Sequence, residues 1–260
     1  ADHMLDLGFI KDIRDVLRHL PAKRQTLFFS ATIDKDIKKL AYEIVENPIR
    51  IQISPKDPVS KNVTHSVAYI SMDDKRFFLE RLINEAPNAK ILVFVRTKVR
   101  AERVFEAMKR VGVETLTMHG DKDQQDRLSV LSDFKSGKSR ILIATDVSSR
   151  GIHIDNVDYV VNYDLPDVPE NYVHRVGRTG RGDKKGFAVS FCSEEEKGLL
   201  AEIEKLIGKP VEVKNIDKDD YSETLDFSED ADFNWKALMK DAIQAEDNFV
   251  PKKKKEKKKK

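Results

Sequence analysis

Apolar and polar positions alternate along the middle of the chain in a pattern typical of strand–helix repeats. Short runs such as Ile91–Val95 and residues 141–144 are apolar throughout and rich in β-branched side chains, which predicts strands buried on both faces of a parallel sheet. Segments such as Gln124–Ser136 lie between such runs and predict helices. The alternation predicts an α/β fold with a doubly wound, mainly parallel sheet.

The same pattern predicts the extent of each element. The predicted strands are residues 25–29, 49–53, 67–70, 91–95, 115–118, 141–144, 159–162 and 187–191. The predicted helices are residues 9–20, 37–45, 75–84, 99–111, 124–136, 168–175, 194–207 and 233–243.

Changes in composition predict the domain boundaries. Residues 54–62 contain two prolines and few apolar side chains, which is typical of a linker. We expect residues 1–53 to be the end of a first domain and residues 63–213 to form a second one. An acidic extension over residues 214–250 and a disordered lysine-rich tail over residues 251–260 follow.

The acidic extension contains the amphipathic helix predicted at residues 233–243. Its tryptophan offers a stacking platform for RNA bases, but the anionic surroundings would repel RNA. We therefore expect this helix to dock on the second domain or on a protein partner.

Overall charge and cysteine content narrow the possibilities only slightly. The 260 residues include 47 Lys and Arg against 45 Asp and Glu, so the net charge of +2 indicates no class of partner. Cys192 is the only cysteine, which excludes an internal disulfide and suits a reducing cytosol, so we expect a cytoplasmic protein. No apolar run reaches the roughly 18–20 residues that span a bilayer, and no membrane association is expected.

Polar residues follow the predicted strands directly. Thr145, Asp146 and Arg150 come after the apolar run 141–144, and Arg96 follows Ile91–Val95. Right-handed crossovers bring the carboxyl ends of parallel strands to one edge of the sheet. Hydroxyl, amide and guanidinium groups gathered there predict contacts to the phosphates and sugars of a nucleic acid.

A second cluster of basic residues occurs in HRVGRTGR, residues 174–181. Arg175, Arg178 and Arg181 are three residues apart and are separated by glycines. Guanidinium groups at this spacing repel one another unless an anion lies between them, and glycines allow close approach of the backbone to a ligand. The pattern favours phosphate binding over a merely solvated basic turn.

These segments resemble motifs V and VI of the DEAD-box RNA helicases of superfamily 2, and further matches extend the resemblance over most of the chain. Ala1-Asp2 resembles the end of the D-E-A-D box, and Ser30-Ala31-Thr32 resembles the S-A-T motif. Residues 91–97 resemble motif IV, and His119-Gly120-Asp121 precedes a Q-x-x-R element. The resemblance implies two RecA-like domains that clamp ATP and RNA between them.

The resemblance also implies roles for single residues. At the nucleotide it implies Arg178 and Arg181 as arginine fingers, His174 as a link between domains, Asp2 near the metal and the attacking water, and His153 near the ATP ribose, where many members have aspartate. For RNA-backbone contacts it implies Arg96, Gly120, Gln124, Arg127, Thr145 and Arg150. For coupling between domains it implies Ser30 and Thr32, and we add Asp146.

Several residues have structural alternatives. Ser30 and Thr32 could cap the following helix, as Thr145 could cap another. Arg127 could pair with an aspartate on its own helix. Asp146 could pair with Arg175 or another arginine of the cluster, and we expect Arg175 to be structural.

The resemblance implies an ATP-dependent RNA helicase that uses ATP and Mg²⁺. No G-x-x-x-x-G-K-[ST] phosphate loop occurs in the sequence, and the first two residues fall inside a motif. We therefore expect a missing N-terminal half that holds most of the ATP and Mg²⁺ contacts, and no ATP hydrolysis by this chain alone. The alternatives are a non-catalytic RNA-binding or annealing module and a DNA helicase of the same superfamily.

Overall fold

The computed structural model describes residues 9–30, 35–51, 58–146, 154, 157–180, 182 and 184–227. The chain divides into two compact units, Ala1–Lys56 and Asp57–Lys260. The predicted helix at residues 233–243 and the lysine-rich tail lie outside the described residues.

The first unit contains two helices in its described part, α1 (Ile10–Arg18) and α2 (Lys35–Ile44). Arg14 on α1 donates two hydrogen bonds, of 2.8 and 2.9 Å, to the carboxylate of Glu43 on α2. Ile37 and Leu40 on α2 are buried.

The prediction of strands at residues 25–29 and 49–53 is wrong at every position that the structure describes. Residues 25–30 and 49–51 form neither strand nor helix. Leu27, Phe29 and Ile49 are 70%, 77% and 90% exposed. An apolar run becomes a strand only when another strand satisfies its backbone groups, and no described residue pairs with these segments.

The second unit is built on a seven-stranded parallel sheet within the described residues. Its strands are β1 (Val63–Tyr69), β2 (Ile91–Val95), β3 (Leu116–Met118), β4 (Ile141–Thr145), β5 (Tyr159–Asn162), β6 (Gly186–Cys192) and β7 (Glu212–Val213). They lie in the order β3-β4-β2-β5-β6-β1-β7, and every neighbouring pair is parallel. The predicted α/β class and parallel sheet are confirmed.

Helices cover both faces of this sheet. They are α3 (Lys75–Glu85), α4 (Lys98–Arg110), α5 (Gln124–Ser136), α6 (Pro169–Val176), α7 (Lys197–Ile207) and α8 (Lys218–Phe227). The apolar residues of α3, α4 and α8 pack in one cluster on the sheet, and those of α5, α6 and α7 pack in the other. Chain connections that reverse direction along the strand order place helices on opposite faces in this way.

Helices α4 and α5 begin at side-chain caps. Thr97 Oγ1 accepts a hydrogen bond of 3.1 Å from Arg100 N–H at the start of α4. Asp123 Oδ1 accepts one of 2.8 Å from Asp126 N–H at the start of α5, and Gly137, with φ of 81°, ends that helix. Both caps use the residue types that sequence reasoning relies on, which explains why α5 was predicted with its observed ends.

The packed unit extends further than the sequence indicated. Helix α8, in the segment assigned to an acidic extension, lies on α3: Arg81 Nη2 contacts Asp220 Oδ1 at 3.1 Å, and the rings of Phe78 and Tyr221 are 4.9 Å apart. The predicted helix at 194–207 is a 3₁₀ turn, Glu194–Glu196, followed by α7. In the part of the chain that the structure describes, no helix combines the length and apolar character needed to cross a bilayer.

Candidate functional site

We use the name carboxyl rim for the edge of the sheet formed by the carboxyl ends of four neighbouring strands, β3, β4, β2 and β5. Val95 at the end of β2 is paired with Thr145 at the end of β4, and Met118 of β3 is paired with Ala144. Five predicted RNA-contact residues lie on or next to this rim: Arg96, Gly120, Gln124, Arg127 and Thr145. Arg150 lies outside the described residues.

Arg96 is held at the carboxyl rim by carboxylates of the protein. Its backbone N–H donates to Asp164 Oδ2 at 3.1 Å. Its guanidinium lies 3.3 Å from Asp167 and 3.4 Å from Glu196. Asp167 is exposed, so a phosphate that approached Arg96 would compete with this aspartate.

A buried ionic cluster lies beneath Arg96, and it was not predicted. Lys75 Nζ donates to Glu196 Oε2 at 2.5 Å and to the Tyr163 carbonyl at 2.7 Å, and it lies 3.8 Å from Asp164 Oδ1. Burial lowers the pKa of Lys75, and the charges of Glu196 and Asp164 oppose that shift. The cluster joins the start of α3 to the ends of β5 and β6.

One signal for this cluster was present in the sequence. Ser193 and Glu196 have capping-box spacing, and Glu196 Oε2 accepts a hydrogen bond of 3.1 Å from Ser193 N–H. Glu196 Oε1 accepts another from Leu165 N–H at 3.1 Å. The spacing indicated a helix start but could not indicate Lys75, which is 121 residues away.

The His119-Gly120-Asp121 turn is fixed on both sides of its glycine. His119 Nε2 and Glu102 Oε1 are 2.6 Å apart, and Thr117 donates to the same oxygen at 3.2 Å. Burial would raise the pKa of Glu102, but these hydrogen bonds and nearby Lys122 lower it overall. Lys98 Nζ lies 2.7 Å from Asp121 Oδ2 and lowers the pKa of that carboxyl. Gly120 is exposed, and the side chains on either side of it are anchored.

Arg175 and Asp146 form a bidentate ion pair. Arg175 Nε and Nη2 each lie 2.7 Å from a different carboxylate oxygen of Asp146. Arg175 Nη1 donates to the Asp164 carbonyl at 2.7 Å and to Asn162 Oδ1 at 3.3 Å. Arg175 is only 1% exposed, and of the arginines considered for Asp146 it is the one that the structure pairs with this aspartate.

The predicted arginine finger Arg178 lies at the opposite end of the sheet. Helix α6 runs back from the carboxyl rim over about 12 Å, as its eight residues require. After α6, Thr179 forms an isolated parallel β-bridge with Val157, which lies just before β5. The Thr179 hydroxyl donates to the Val157 and Asp158 carbonyls at 2.5 and 3.2 Å. Arg178 is half-buried beside this anchor, at what we call the amino rim.

Of the remaining predicted site residues, the structure describes His174 and Ser30. His174 is partly exposed on α6, one turn before Arg178. Ser30 is partly exposed at the end of a segment without regular structure. Asp2, Thr32, His153 and Arg181 lie outside the described residues.

Two family models match the chain. The helicase conserved C-terminal domain matches residues 74–183, and the DEAD/DEAH box helicase model matches residues 1–40. The first match covers both the carboxyl rim and the segment around Arg178.

Relatives agree with these matches. The chain is 43% identical to the ATP-dependent RNA helicase RhlB of Shewanella frigidimarina and 42% identical to that of Shewanella oneidensis, each over 221 residues and 84% of this chain. The aligned part is 51% and 50% of those proteins, so the chain spans about half the length of these relatives.

Solved structures agree as well. S. cerevisiae Dbp5 bound to RNA and ADP BeF3 superimposes with a TM-score of 0.74 and 33% identity, over 85% of this chain and 59% of that one. The C-terminal domain of the DEAD-box protein Dbp5 matches with a TM-score of 0.56 and 35% identity, over 62% of this chain and 94% of that domain. Since these findings agree with the parallel sheet and with the motifs at both of its ends, the chain belongs to the DEAD-box RNA helicase family.

Proposed function

We propose that this chain works within an ATP-dependent RNA helicase that remodels RNA when two RecA-like domains close around ATP and RNA. In this proposal residues 1–53 belong to the first domain, residues 54–62 to the linker and residues 63–213 to the second domain. The chain supplies the arginine fingers Arg178 and Arg181 and part of the RNA groove. One observation carries the proposal: one parallel sheet presents cationic candidates at both ends, those for RNA at the carboxyl rim and Arg178 at the amino rim.

The carboxyl rim suits an RNA backbone. Arg96, Arg127 and Gln124 offer guanidinium and amide donors, and Gly120 leaves open space where a side chain would stand. Groups of this kind bind phosphates and sugars without reading base edges. We therefore propose binding without sequence preference, with Arg150 added to the same groove.

The amino rim suits a nucleotide phosphate. ATP, when bound, supplies the phosphoryl group that is transferred to water, and the protein contributes positioning and positive charge. Arg178 provides a permanent charge on a loop that Thr179 anchors, and we propose that it reaches the γ-phosphate together with Arg181. His153 would lie at the ribose.

We propose that Mg²⁺ is held mainly outside this chain, with Asp2 close to it and to the attacking water. Among the described residues no group of three or more His, Cys, Asp or Glu side chains could hold a metal ion. For coupling between the domains we propose Ser30, Thr32, His174 and Asp146. We also propose a cytoplasmic location and a protein partner for residues 233–243.

The test is ATP hydrolysis by the full-length protein with and without RNA, in the parent and in Arg178→Ala. We expect RNA to stimulate the parent and Arg178→Ala to lower kcat by at least about 100-fold, since the charge acts mainly in the transition state. Lys184→Ala removes an exposed cation nearby and should leave the rate unchanged. Hydrolysis by Arg178→Ala at the parental rate would refute the finger assignment.

The same assay decides between the alternatives. RNA binding or annealing without ATP turnover by the full-length protein would indicate a non-catalytic module. Competition between RNA and DNA duplexes tests the nucleic acid, because contacts to the ribose 2′-hydroxyl distinguish the two.

A further inference from the structure

Asn62 contacts the loop that carries Arg178. We use the name finger loop for Arg178, Thr179, Gly180 and Gly182. Asn62 directly precedes β1, and its side-chain Nδ2 donates a hydrogen bond of 2.6 Å to the Gly182 carbonyl. Its backbone carbonyl accepts another, of 2.9 Å, from Gly186 N–H at the start of β6.

The finger loop also packs closely against Asn62. Gly180 has a φ of +64°, and a Cβ built there would lie 3.0 Å from the Asn62 carbonyl oxygen. On its other side the loop is fixed by the hydroxyl of Thr179, which donates to two carbonyls before β5. The loop is therefore held between Asn62 and the amino end of β5.

The side-chain bond of Asn62 is not needed to start the sheet. Pairing of β1 with β6 begins at Val63 and Gly186 through backbone groups. Val59, just upstream, is buried in the core and already anchors the chain before β1. The Asn62 amide instead donates its hydrogen bond to the backbone carbonyl of Gly182 in the finger loop, 120 residues away.

We infer that Asn62 is a positioning residue for ATP hydrolysis: its amide holds the finger loop so that Arg178 is presented in one orientation. The inference rests on the proposed function, because it assigns Asn62 an effect through Arg178. Asn62 lies at the end of the predicted linker, so the residue that enters the second domain also orients its finger. A catalytic group must be held within a fraction of an ångström, and a single supporting hydrogen bond can decide this.

The first experiment is Asn62→Asp in the full-length protein. Aspartate has the same shape, but it replaces the N–H donor with an oxygen that repels the Gly182 carbonyl. We expect kcat for RNA-stimulated ATP hydrolysis to fall about fivefold to tenfold, while KM for ATP and RNA affinity without nucleotide change less than about twofold. Lys61→Ala, an exposed change in the same turn, should match the parent.

The second experiment separates positioning from folding. If Asn62 acts through the finger, Asn62→Asp should lower kcat in the parent but have no further effect in Arg178→Ala, because residues that act as a unit are not additive. An equal loss in both backgrounds would overturn the inference. Should Asn62→Asp lower the thermal unfolding midpoint, Asn62→Ala removes the donor without adding charge and should show the same dependence on Arg178.

The outcomes also distinguish the two levels of the proposal. A parent without ATP turnover, or Arg178→Ala at the parental rate, refutes the proposed function and the inference together. Loss of activity in Arg178→Ala with Asn62→Asp at the parental rate refutes the inference alone.

Discussion

Arg175 and Arg178 show how burial separates residues that look equivalent in sequence. Both belong to the arginine cluster with a spacing of three, which by itself favours an anion between them. In the structure the anion beside Arg175 is the carboxylate of Asp146, and Asn162 and a backbone carbonyl complete its hydrogen bonds. Arg178 is only half-buried, and it is the arginine that we propose for a ligand phosphate.

We predict that Asp146→Asn destabilises the second unit. The change leaves a buried guanidinium without its counter-charge, which should lower the free energy of unfolding by roughly 2–4 kcal/mol. Urea denaturation of this chain measures the effect. Glu202→Gln removes an exposed carboxylate 3.8 Å from Lys205 and should change the free energy of unfolding by less than about 0.5 kcal/mol.

The Asp146 prediction extends to activity. In the full-length protein, Asp146→Asn should also lower RNA-stimulated hydrolysis, because the pair joins the end of β4 to α6, which leads to Arg178. Unchanged stability and unchanged activity would show that the pair contributes to neither.

At the scale of elements, short connections do most to place the candidate residues. Helix α5 begins at an aspartate cap, so Gln124 and Arg127 lie in its first turn, a few residues after Gly120 in the chain. The finger loop depends instead on a glycine, since Gly180 needs a positive φ and contacts Asn62 directly. Glycine adopts this backbone conformation at little cost, whereas other residues are strained there.

We predict that Gly180→Ala is more damaging than Gly182→Ala. Both positions have positive φ, but a Cβ at Gly182 would meet nothing within 4 Å. Gly182→Ala should therefore cost about 1 kcal/mol of unfolding free energy from backbone strain alone. Gly180→Ala adds overlap with Asn62 and Val63, and the total should be roughly 2–4 kcal/mol. Thermal denaturation of the two variants compares them, and equal losses would contradict close packing at Gly180.

At the scale of the whole molecule, the sheet separates the two candidate regions. Its five-residue strands are about 15 Å long, so the carboxyl rim and the finger loop lie at opposite ends of a rigid element. We therefore expect that the proposed RNA contacts and the proposed finger can be altered independently by mutation.

We predict that Arg127→Ala weakens binding of single-stranded RNA by the full-length protein and reduces its salt dependence. Loss of one phosphate contact should lower the slope of log K against log salt by about 0.7. Lys205→Ala removes an equal, exposed charge near the end of α7, away from the predicted RNA contacts in the sequence, and should leave the slope unchanged. Titrations at several salt concentrations measure the slope, and equal slopes in all three proteins would remove Arg127 from the groove.

The pattern of apolar and polar residues was sufficient to predict most helices and strands of the second unit. Strands β2 and β5 and helix α5 have their predicted ends, because largely buried strands and capped helices leave local signals. The apolar runs at residues 25–29 and 49–53 show the limit of such signals. A strand is a pairing between segments, and the sequence of one segment does not show whether a partner is present.

Local sequence by itself determined the α/β class, the positions of the second unit's main elements and the motifs that indicate a DEAD-box helicase. Only the tertiary structure decided which charged groups are paired and which end of the sheet each candidate occupies. The bonds from Lys75 to Glu196, from Asn62 to Gly182 and from Arg175 to Asp146 join residues 121, 120 and 29 positions apart. Hydrogen bonds and ion pairs act over a few ångströms, so their partners are known only once the chain has folded.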